Sequence, residues 1–308
     1  MKIGVLESKD DDFIKDVLSR LGGFDTEFIS LREQLVPINS DYRVIIDRSS
    51  FYNRYLRETV KYLSLNGVYI INNPFACDAT NKIMEMKLCS MIGIACPKTI
   101  ILPKIGEEDE PEVKEPDWDK ISGQMAFPCI LKPFDGYAWD SVYRIGSMDE
   151  LKNLYDVMKR KHVLLLQELV KYRDYYRVFC INKRHVLFIK WEPSPGGMGK
   201  YIYSDLEPIK HMIDQLTEWT IELHQRLDLD LNVVEWCIDE KGNPVMIEAF
   251  NDIPDIPKKQ LPESYYYWIV EKMAECVKEK FNSNETNRSI LMAGVSAKTF
   301  IRELVNNI

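Results

Sequence analysis

Two glutamates stand in a stretch near the carboxyl end of the chain that otherwise has the pattern of an apolar β-hairpin. Glu235 lies in the run VVEWCI and Glu248 in the run VMIEAF. A turn centred on Lys241-Gly242 would place the two glutamates opposite each other, with Cβ atoms about 5 Å apart. Opposed like charges destabilise a hairpin unless a cation lies between them, and Mg²⁺ is held by one or two carboxylates together with substrate phosphates. The alternative is that one glutamate simply points to solvent.

A lysine and two polar residues end apolar strands upstream of this hairpin. Lys132 closes the run PCILK, and a lysine there can bind a phosphate as a point charge or can protect an edge strand from pairing. Gln167 and Glu168 close the run LLLQE before a loop. That position suits a hinge whose backbone groups bind a purine, or it is an ordinary strand end.

Two cationic residues lie on the next predicted hairpin, which turns at Asn182-Lys183-Arg184. They are Arg177 and Lys190, and a symmetric turn about Arg184 would not pair them directly. They could still lie near one another and add positive charge to a site.

Composition narrows the class of protein. The chain has 48 acidic and 40 basic residues and a net charge of -8, which disfavours general binding to nucleic acid because such affinity needs many cationic contacts. The acidic start MKIGVLESKDDD differs from a signal peptide, and no apolar run reaches the roughly 18 residues of a membrane span. Seven scattered cysteines without a C-x-x-C pair and four dispersed histidines disfavour structural zinc. We therefore expect a reduced, cytoplasmic protein that binds neither nucleic acid nor membrane.

The elements that must position these residues fall into two patterns. A chain of 308 residues is long enough for roughly two domains of about 150 residues. Its first part alternates apolar strands with amphipathic helices, which predicts a small doubly wound parallel sheet ending near Pro74. No G-x-G-x-x-G turn supports a dinucleotide site. The predicted strands are 2–6, 27–31, 42–46 and 67–71, and the predicted helices are 10–21 and 54–65.

The remainder mixes hairpins and helices. The acidic segment 104–118 is predicted to be an exposed loop, and 193–200 a flexible one. The predicted strands are 128–133, 142–145, 163–170, 176–181, 185–191, 233–238 and 244–250. The predicted helices are 78–92, 148–159, 206–227, 263–281 and a tail after Ser289.

Four motifs in order resemble the ATP-grasp superfamily, most closely its glutathione-synthetase and RimK-like branch. They are NKIMEMKLCSMIGIACPKT, FPCILKPFDG, LLLQELVKYRDYYRVFCINKRHVLFIKWEP and VVEWCIDEKGNPVMIEAFNDIPD. The resemblance spans most of the chain and implies an α/β (α+β) fold. In it, a small doubly wound N-terminal parallel-sheet domain precedes two α+β subdomains that sandwich ATP. The implied boundaries are 1–75 for the first domain, 76–97 for a linker helix, 98–170 for the small subdomain and 171–308 for the C-terminal subdomain.

The resemblance also implies roles for individual residues. Lys82 and Lys132 would bind ATP phosphates, with Lys87 a weaker candidate for the first lysine. Asp174 would lie near the ribose, and Arg177 and Lys190 near the phosphates or the acceptor. The adenine contacts would be Gln167, Glu168, Leu169 and Val170, and the metal ligands Glu235, Glu248 and Asn251.

The chain departs from the family pattern at three places. The loop after Lys132 has one glycine where several are usual, and carries the bulky Tyr137 and Trp139. Phe250 occupies the usual position of the metal-binding Asn, so Asn251 needs a β-bulge to reach the glutamate face, and Asp252 is an alternative ligand without one. Lys190 stands where arginine is common.

The activity implied is that of an ATP-dependent carboxylate-amine ligase that forms an amide through an acyl phosphate. Its cofactors would be ATP and Mg²⁺, with Mn²⁺ as an alternative, and its substrates a small-molecule carboxylate and an amine. Loops 137–139 and 196–199 would cover the site, and a homo-oligomer is left open.

Two other functions compete with the ligase. A small-molecule kinase of the inositol-phosphate type would need a dense basic pocket, for which the sequence offers Arg48, Arg54, Arg57, Lys190 and Lys200. A nucleotide-binding protein without turnover would fit the altered glycine loop and the displaced Asn251.

Overall fold

The computed structural model describes residues 1–29, 40–106, 113–136, 141–194 and 199–289 of the chain. Three sheets occupy these residues. Several predicted features lie outside them: the end of the second strand at 30–31, Tyr137 and Trp139, residues 196–198 and the helix after Ser289. No helix of the described part is both long and apolar enough to cross a bilayer.

The first sheet is parallel, with strand order β2-β1-β3-β4, and confirms the predicted doubly wound pattern. Helix α1 buries Phe13 and Val17 on one side of the sheet, and α2 buries Val60 and Leu63 on the other. Covered on both faces, the inner strands β1 and β3 and the short β4 bury most of their residues, whereas the edge strand β2 exposes Thr26 and Glu27. The bounds are β1 Lys2–Leu6, α1 Asp12–Ser19, β2 Thr26–Phe28, β3 Tyr42–Asp47, a 3₁₀ turn Ser50–Tyr52, α2 Arg54–Leu65 and β4 Tyr69–Ile71.

The single helix predicted over 78–92 is wrong, because the structure has two helices there: α3, Pro74–Ala79, and α4, Lys82–Met91. Thr80 is extended between them, and the Asn81 side chain accepts hydrogen bonds from the amides of Ile83 (3.0 Å) and Met84 (3.1 Å). Asn at an N-cap satisfies amides that lack an intrahelical partner. Lys82 therefore begins a helix instead of lying within one.

The second sheet is antiparallel, with order β5-β8-β6-β7, and is covered by α5 and α6. The sequence analysis missed β5 and α5. Helix α5 is only five residues long, is capped by the Asp117 side chain, and holds Trp118 edge-on to Tyr155 at 5.3 Å. The bounds are β5 Thr99–Leu102, α5 Trp118–Ser122, β6 Cys129–Pro133, β7 Tyr143–Ile145, α6 Met148–Met158 and β8 Leu164–Glu168.

The third sheet, order β11-β10-β9-β12-β13, carries most of the candidate residues. One face packs on α8 and the first domain, and the other on α7 and α4. The predicted turn between β9 and β10 is present, with Asn182 and Lys183 at φ 53° and 56°. The helix predicted to begin at Leu206 starts with a 3₁₀ turn, Glu207–Met212. The bounds are β9 Tyr172–Ile181, β10 His185–Glu192, β11 Lys200–Ile202, α7 Ile213–Leu227, β12 Leu231–Asp239, β13 Pro244–Glu248 and α8 Glu263–Asn282.

Candidate active site

Glu235 on β12 and Glu248 on β13 are direct partners across the hairpin, which confirms the predicted pairing. The turn, and the register of the residues next to it, differ from the prediction. The Asp239 amide donates to the Asn243 carbonyl at 2.9 Å, so the loop has three residues and is centred on Lys241 instead of on Lys241-Gly242. A bulge opposite the step from Glu235 to Trp236 then restores the predicted register. Bulges re-aim side chains in this way near functional sites.

Each glutamate has its own cation. Lys82 Nζ lies 3.0 Å from Glu248 Oε1 and donates to the Gly136 carbonyl at 2.6 Å. Arg177, directly opposite Glu235 on β9, places Nε 3.4 Å from Glu235 Oε1. Lys87, the weaker candidate for the first lysine, is exposed on α4. The structure thus brings Lys82, and not Lys87, to the glutamate pair.

An aromatic cluster that the sequence analysis missed surrounds Arg177. Its guanidinium lies 5.3 Å from the Trp191 ring and 5.6 Å from the Tyr201 ring, and Nη1 donates to the Tyr201 hydroxyl at 2.6 Å. The Tyr175 hydroxyl donates to Glu235 Oε2. Burial raises the pKa of both phenols, that of Tyr201 to about 12, so both are neutral at physiological pH. Tyr175 stands two residues before Arg177, on the same strand face, which was the available signal.

Three carboxyl groups and two lysines share one buried cluster. Burial and the Glu248 charge raise the pKa of Glu85, on α4, to about 8, against the opposing effect of both lysines. Burial likewise raises the pKa of Glu235 and lowers that of Lys132. For Lys82 the burial effect is outweighed by neighbouring carboxylates, chiefly Glu248, and its pKa is raised. A cation bound here would relieve the carboxylate repulsion.

The segment after Glu248 favours Asn251 over Asp252 as the third predicted ligand. The Asn251 amide donates to Asn232 Oδ1 at 2.6 Å, and its carbonyl accepts from the Val233 amide at 3.2 Å, so the chain rejoins β12 beyond the bulge. The Asp252 carboxyl instead contacts Cys77 and faces Arg57 of the first domain, and burial raises its pKa.

The residues predicted to bind adenine lie at the end of β8. Gln167 is buried and its amide donates to Thr99 Oγ1 at 3.0 Å, and Glu168 is exposed. The Glu168 amide donates to the Lys98 carbonyl at 2.8 Å, so this amide is already used in the pairing of β8 with the segment that enters β5. Leu169 and Val170 follow, both half-buried.

Lys190 and Arg177 do not contribute positive charge to the same site. Lys190 pairs with Tyr176 on β9, and Arg177 pairs with Ile189 on β10, so the two cations point to opposite faces of the sheet. Lys190 Nζ instead lies 2.7 Å from Asp174 Oδ1, the predicted ribose residue.

The basic residues considered for a polyanionic substrate are already engaged elsewhere. Arg48 donates to the Pro254 carbonyl at 3.0 Å, and Arg57 lies 3.5 Å from Asp78. Arg54 pairs with Glu58 along α2 at 3.3 Å. The dense basic pocket that a kinase of this type would need is not built from these three side chains.

The donor set suits a hard divalent cation. Within the described ranges, no group of three or more His, Cys, Asp or Glu side chains is arranged to hold a metal ion, and the predicted site offers two carboxylates, the cross-strand partners Glu235 and Glu248. Carboxylate oxygens in that number, completed by phosphate oxygens, are how proteins usually hold Mg²⁺. Lys82 contacts Glu248, and Lys132 lies close enough to Glu248 and Glu85 to interact with them electrostatically.

Comparison with curated proteins gives a partial match. No protein-family model matches the chain. The alpha-aminoadipate–LysW ligase LysX of Sulfurisphaera tokodaii is 26% identical over 148 residues, which are 46% of this chain and 48% of LysX. The chain thus matches about half the length of this curated relative.

Solved structures match over nearly the whole chain. The ATP-grasp ligase PsnB, bound to a variant of its minimal precursor, Mg and ADP, superposes with a TM-score of 0.65 at 14% identity, covering 91% of this chain and 98% of PsnB. The D-alanine–D-alanine ligase of Bacillus anthracis bound to ATP gives 0.63 at 16% identity, covering 91% and 97%. At such identities the likeness establishes the fold. The protein therefore has the fold of the ATP-grasp superfamily.

Proposed function

We propose that the protein is an ATP-dependent carboxylate-amine ligase. The observation that carries the proposal is the opposed pair Glu235 and Glu248, each with its own cation, in an ATP-grasp fold. The proposal keeps Mn²⁺ as an alternative to Mg²⁺ and a cytoplasmic location, as expected from the sequence.

The residues of the site would contribute to the reaction in two ways, by neutralising charge and by positioning the reactants. When bound, Mg²⁺ would supply charge neutralisation at the phosphates. Lys82 and Lys132 would bind phosphate oxygens, and Glu235, Glu248 and Asn251 would hold the metal. A substrate carboxylate would take the γ-phosphoryl group, releasing ADP, and an amine would then displace phosphate to give the amide.

Positioning supplies most of the rate enhancement in phosphoryl transfer. Arg177 is held between the rings of Trp191 and Tyr201 and against Glu235, so its orientation is fixed before substrate binds. We propose that its charge stabilises the transferring group or the acceptor carboxylate. Lys190 and Asp174, which pair with each other on the opposite sheet face, have no part in this role.

Hydroxylamine trapping tests the ligase. The protein is incubated with ATP, Mg²⁺, hydroxylamine and a panel of amino acids, dicarboxylic acids and short peptides. A ligase gives a hydroxamate and stoichiometric ADP and phosphate, because hydroxylamine captures the acyl phosphate. A phosphorylated hydroxyl without hydroxamate would identify a kinase, and nucleotide binding without turnover would identify a binding module.

The variant Glu248→Gln connects that reaction to the hairpin. We expect it to fold and to lose turnover by about 10²-fold or more, the order found when one group that stabilises transition-state charge is removed. Unchanged hydroxamate formation in Glu248→Gln would remove the glutamate pair from the mechanism.

A further inference from the structure

The backbone of Ala249, which directly follows the second glutamate, is held by two side chains from distant parts of the chain. Its amide donates to Glu85 Oε2 on α4 at 3.1 Å, and its carbonyl accepts from Asn232 Nδ2 on β12 at 2.9 Å. The regular pairing of β13 ends at Glu248, so the strand ladder no longer holds these groups. The side chains of Glu85 and Asn232 therefore supply the hydrogen bonds that strand pairing no longer provides.

Both side chains that hold the Ala249 backbone are buried. Asn232 is fully buried, and its Oδ1 also accepts from the Asn251 amide at 2.6 Å, so one amide group spans two residues of the segment. Glu85 is 5% exposed and lies one helical turn after Lys82, whose Nζ contacts Glu248. Buried polar groups with both partners satisfied rigidify their surroundings.

We propose that Glu85 and Asn232 are positioning residues that fix the carboxylate of Glu248 and the side chain of Asn251 for metal binding. The inference rests on the proposed function, since it concerns the same metal. The extra residue between Glu248 and Asn251 takes this segment off the strand pattern, and the two side chains supply the geometry that regular pairing would otherwise give. Groups that orient metal ligands typically change metal affinity by 10–100-fold when they are lost.

Mn²⁺ is the probe for the test. Free Mn²⁺ is measured by electron paramagnetic resonance as the full chain is titrated in the presence of a non-hydrolysable ATP analogue. Binding of the analogue alone is measured by calorimetry in a chelator. We expect Asn232→Leu and Glu85→Ala to weaken Mn²⁺ binding by about 10–100-fold and to leave metal-free nucleotide binding unchanged.

Two further variants separate positioning from charge and from stability. Glu85→Gln keeps an oxygen that accepts from the Ala249 amide, so we expect its Mn²⁺ affinity to stay close to wild type. Val234→Ala removes a buried contact from the same strand and the same face as Asn232, without touching either hydrogen bond, and should lower the unfolding temperature without changing Mn²⁺ affinity. If Asn232→Leu does not fold, the Glu85→Ala and Glu85→Gln pair decides the question.

The outcomes distinguish this inference from the proposed function. Wild-type protein that binds no Mn²⁺ with the nucleotide would overturn both. Wild-type binding that Asn232→Leu and Glu85→Ala leave unchanged would overturn only the positioning role. A loss in Glu85→Gln as large as in Glu85→Ala would overturn it as well, because the charge and not the hydrogen bond would then matter.

Discussion

At the scale of single residues, the site depends on ionisable groups held away from water. Lys132 is 9% exposed, and burial lowers its pKa against the opposing effect of Glu248 and Glu85. Burying a charge costs folding stability, and we propose that Lys132 is retained because it binds a phosphate of ATP.

Lys132→Met tests that explanation. A charge-assisted contact is worth about 1.5–3 kcal/mol, so we expect ATP affinity to fall about tenfold or more. Folding of the free protein should weaken less than ATP binding, because the loss of a costly buried charge offsets the loss of its attraction to Glu85 and Glu235. Calorimetry with ATP and thermal unfolding without it measure the two effects, and Lys87→Met on the exposed side of α4 is the control. Weaker folding with unchanged ATP affinity would make Lys132 a structural residue.

His224 predicts a pH dependence of stability. It is fully buried, its Nδ1 lies 2.6 Å from the Thr220 carbonyl, and burial with a smaller effect of Lys183 lowers its pKa to about 4. The unfolded chain binds a proton near pH 6.5 and the folded chain only near 4, so folding stability falls as pH drops through this interval. From pH 7 to 5 this histidine alone costs about 2 kcal/mol.

Urea unfolding at the two pH values checks this expectation. His224→Gln should flatten the dependence between pH 7 and 5, and the exposed His211→Gln should not. An equal dependence in His224→Gln and wild type would show that other groups carry it.

At the scale of elements, β10 and β11 carry the two aromatic rings that contact Arg177. A Cβ on Gly199 would lie 2.0 Å from the Trp191 ring, so only glycine allows the chain to pass this indole. The ring in turn contacts the Arg177 guanidinium. Gly199, which has no side chain, therefore influences the orientation of Arg177 through the Trp191 ring.

Gly199→Ala should displace the indole and with it Arg177. Overpacking of this kind costs about 1–3 kcal/mol, and we expect a lower unfolding temperature together with a changed near-ultraviolet circular dichroism spectrum. Gly123→Ala is the matched control, since its nearest new contact would be 3.7 Å away. Wild-type spectra and stability for Gly199→Ala would mean that the loop moves aside freely.

At the scale of the whole molecule, Asn72 joins the first sheet to the third. Its Oδ1 accepts from the amides of Asp230 (2.7 Å) and Leu231 (2.8 Å), and its Nδ2 donates to the carbonyls of Leu231 (2.5 Å) and Asp252 (2.8 Å). The first domain is thereby fixed to β12 and to the segment that follows β13.

Asn72→Leu should destabilise this junction strongly. It leaves two buried amides without partners, at about 1–3 kcal/mol each, so we expect a loss of about 2–5 kcal/mol in the free energy of unfolding. Denaturant unfolding measures it, and Asn66→Ala, which removes one exposed bond to Tyr62, should change little. A loss no larger than that of Asn66→Ala would show that the junction is held elsewhere.

The sequence by itself determined the parallel first sheet, most helices and strands of the remainder, and the facing glutamates. These features follow from apolar periodicity and turn residues, which are local along the chain. The four motifs in order added the prediction that Lys82 and Lys132 bind ATP phosphates. Short elements such as β5 and α5 escaped because a few residues carry too weak a pattern.

Only the tertiary structure decided which cation serves which glutamate. Lys82 and Glu248 are 166 positions apart, and the motif that favoured Lys82 over Lys87 does not show that Glu248 is its partner. The opposite faces of Arg177 and Lys190 follow from a register that depends on the exact turn. The support from Glu85 and Asn232 arises where strand pairing stops, and packing between distant segments, not periodicity, determines such contacts.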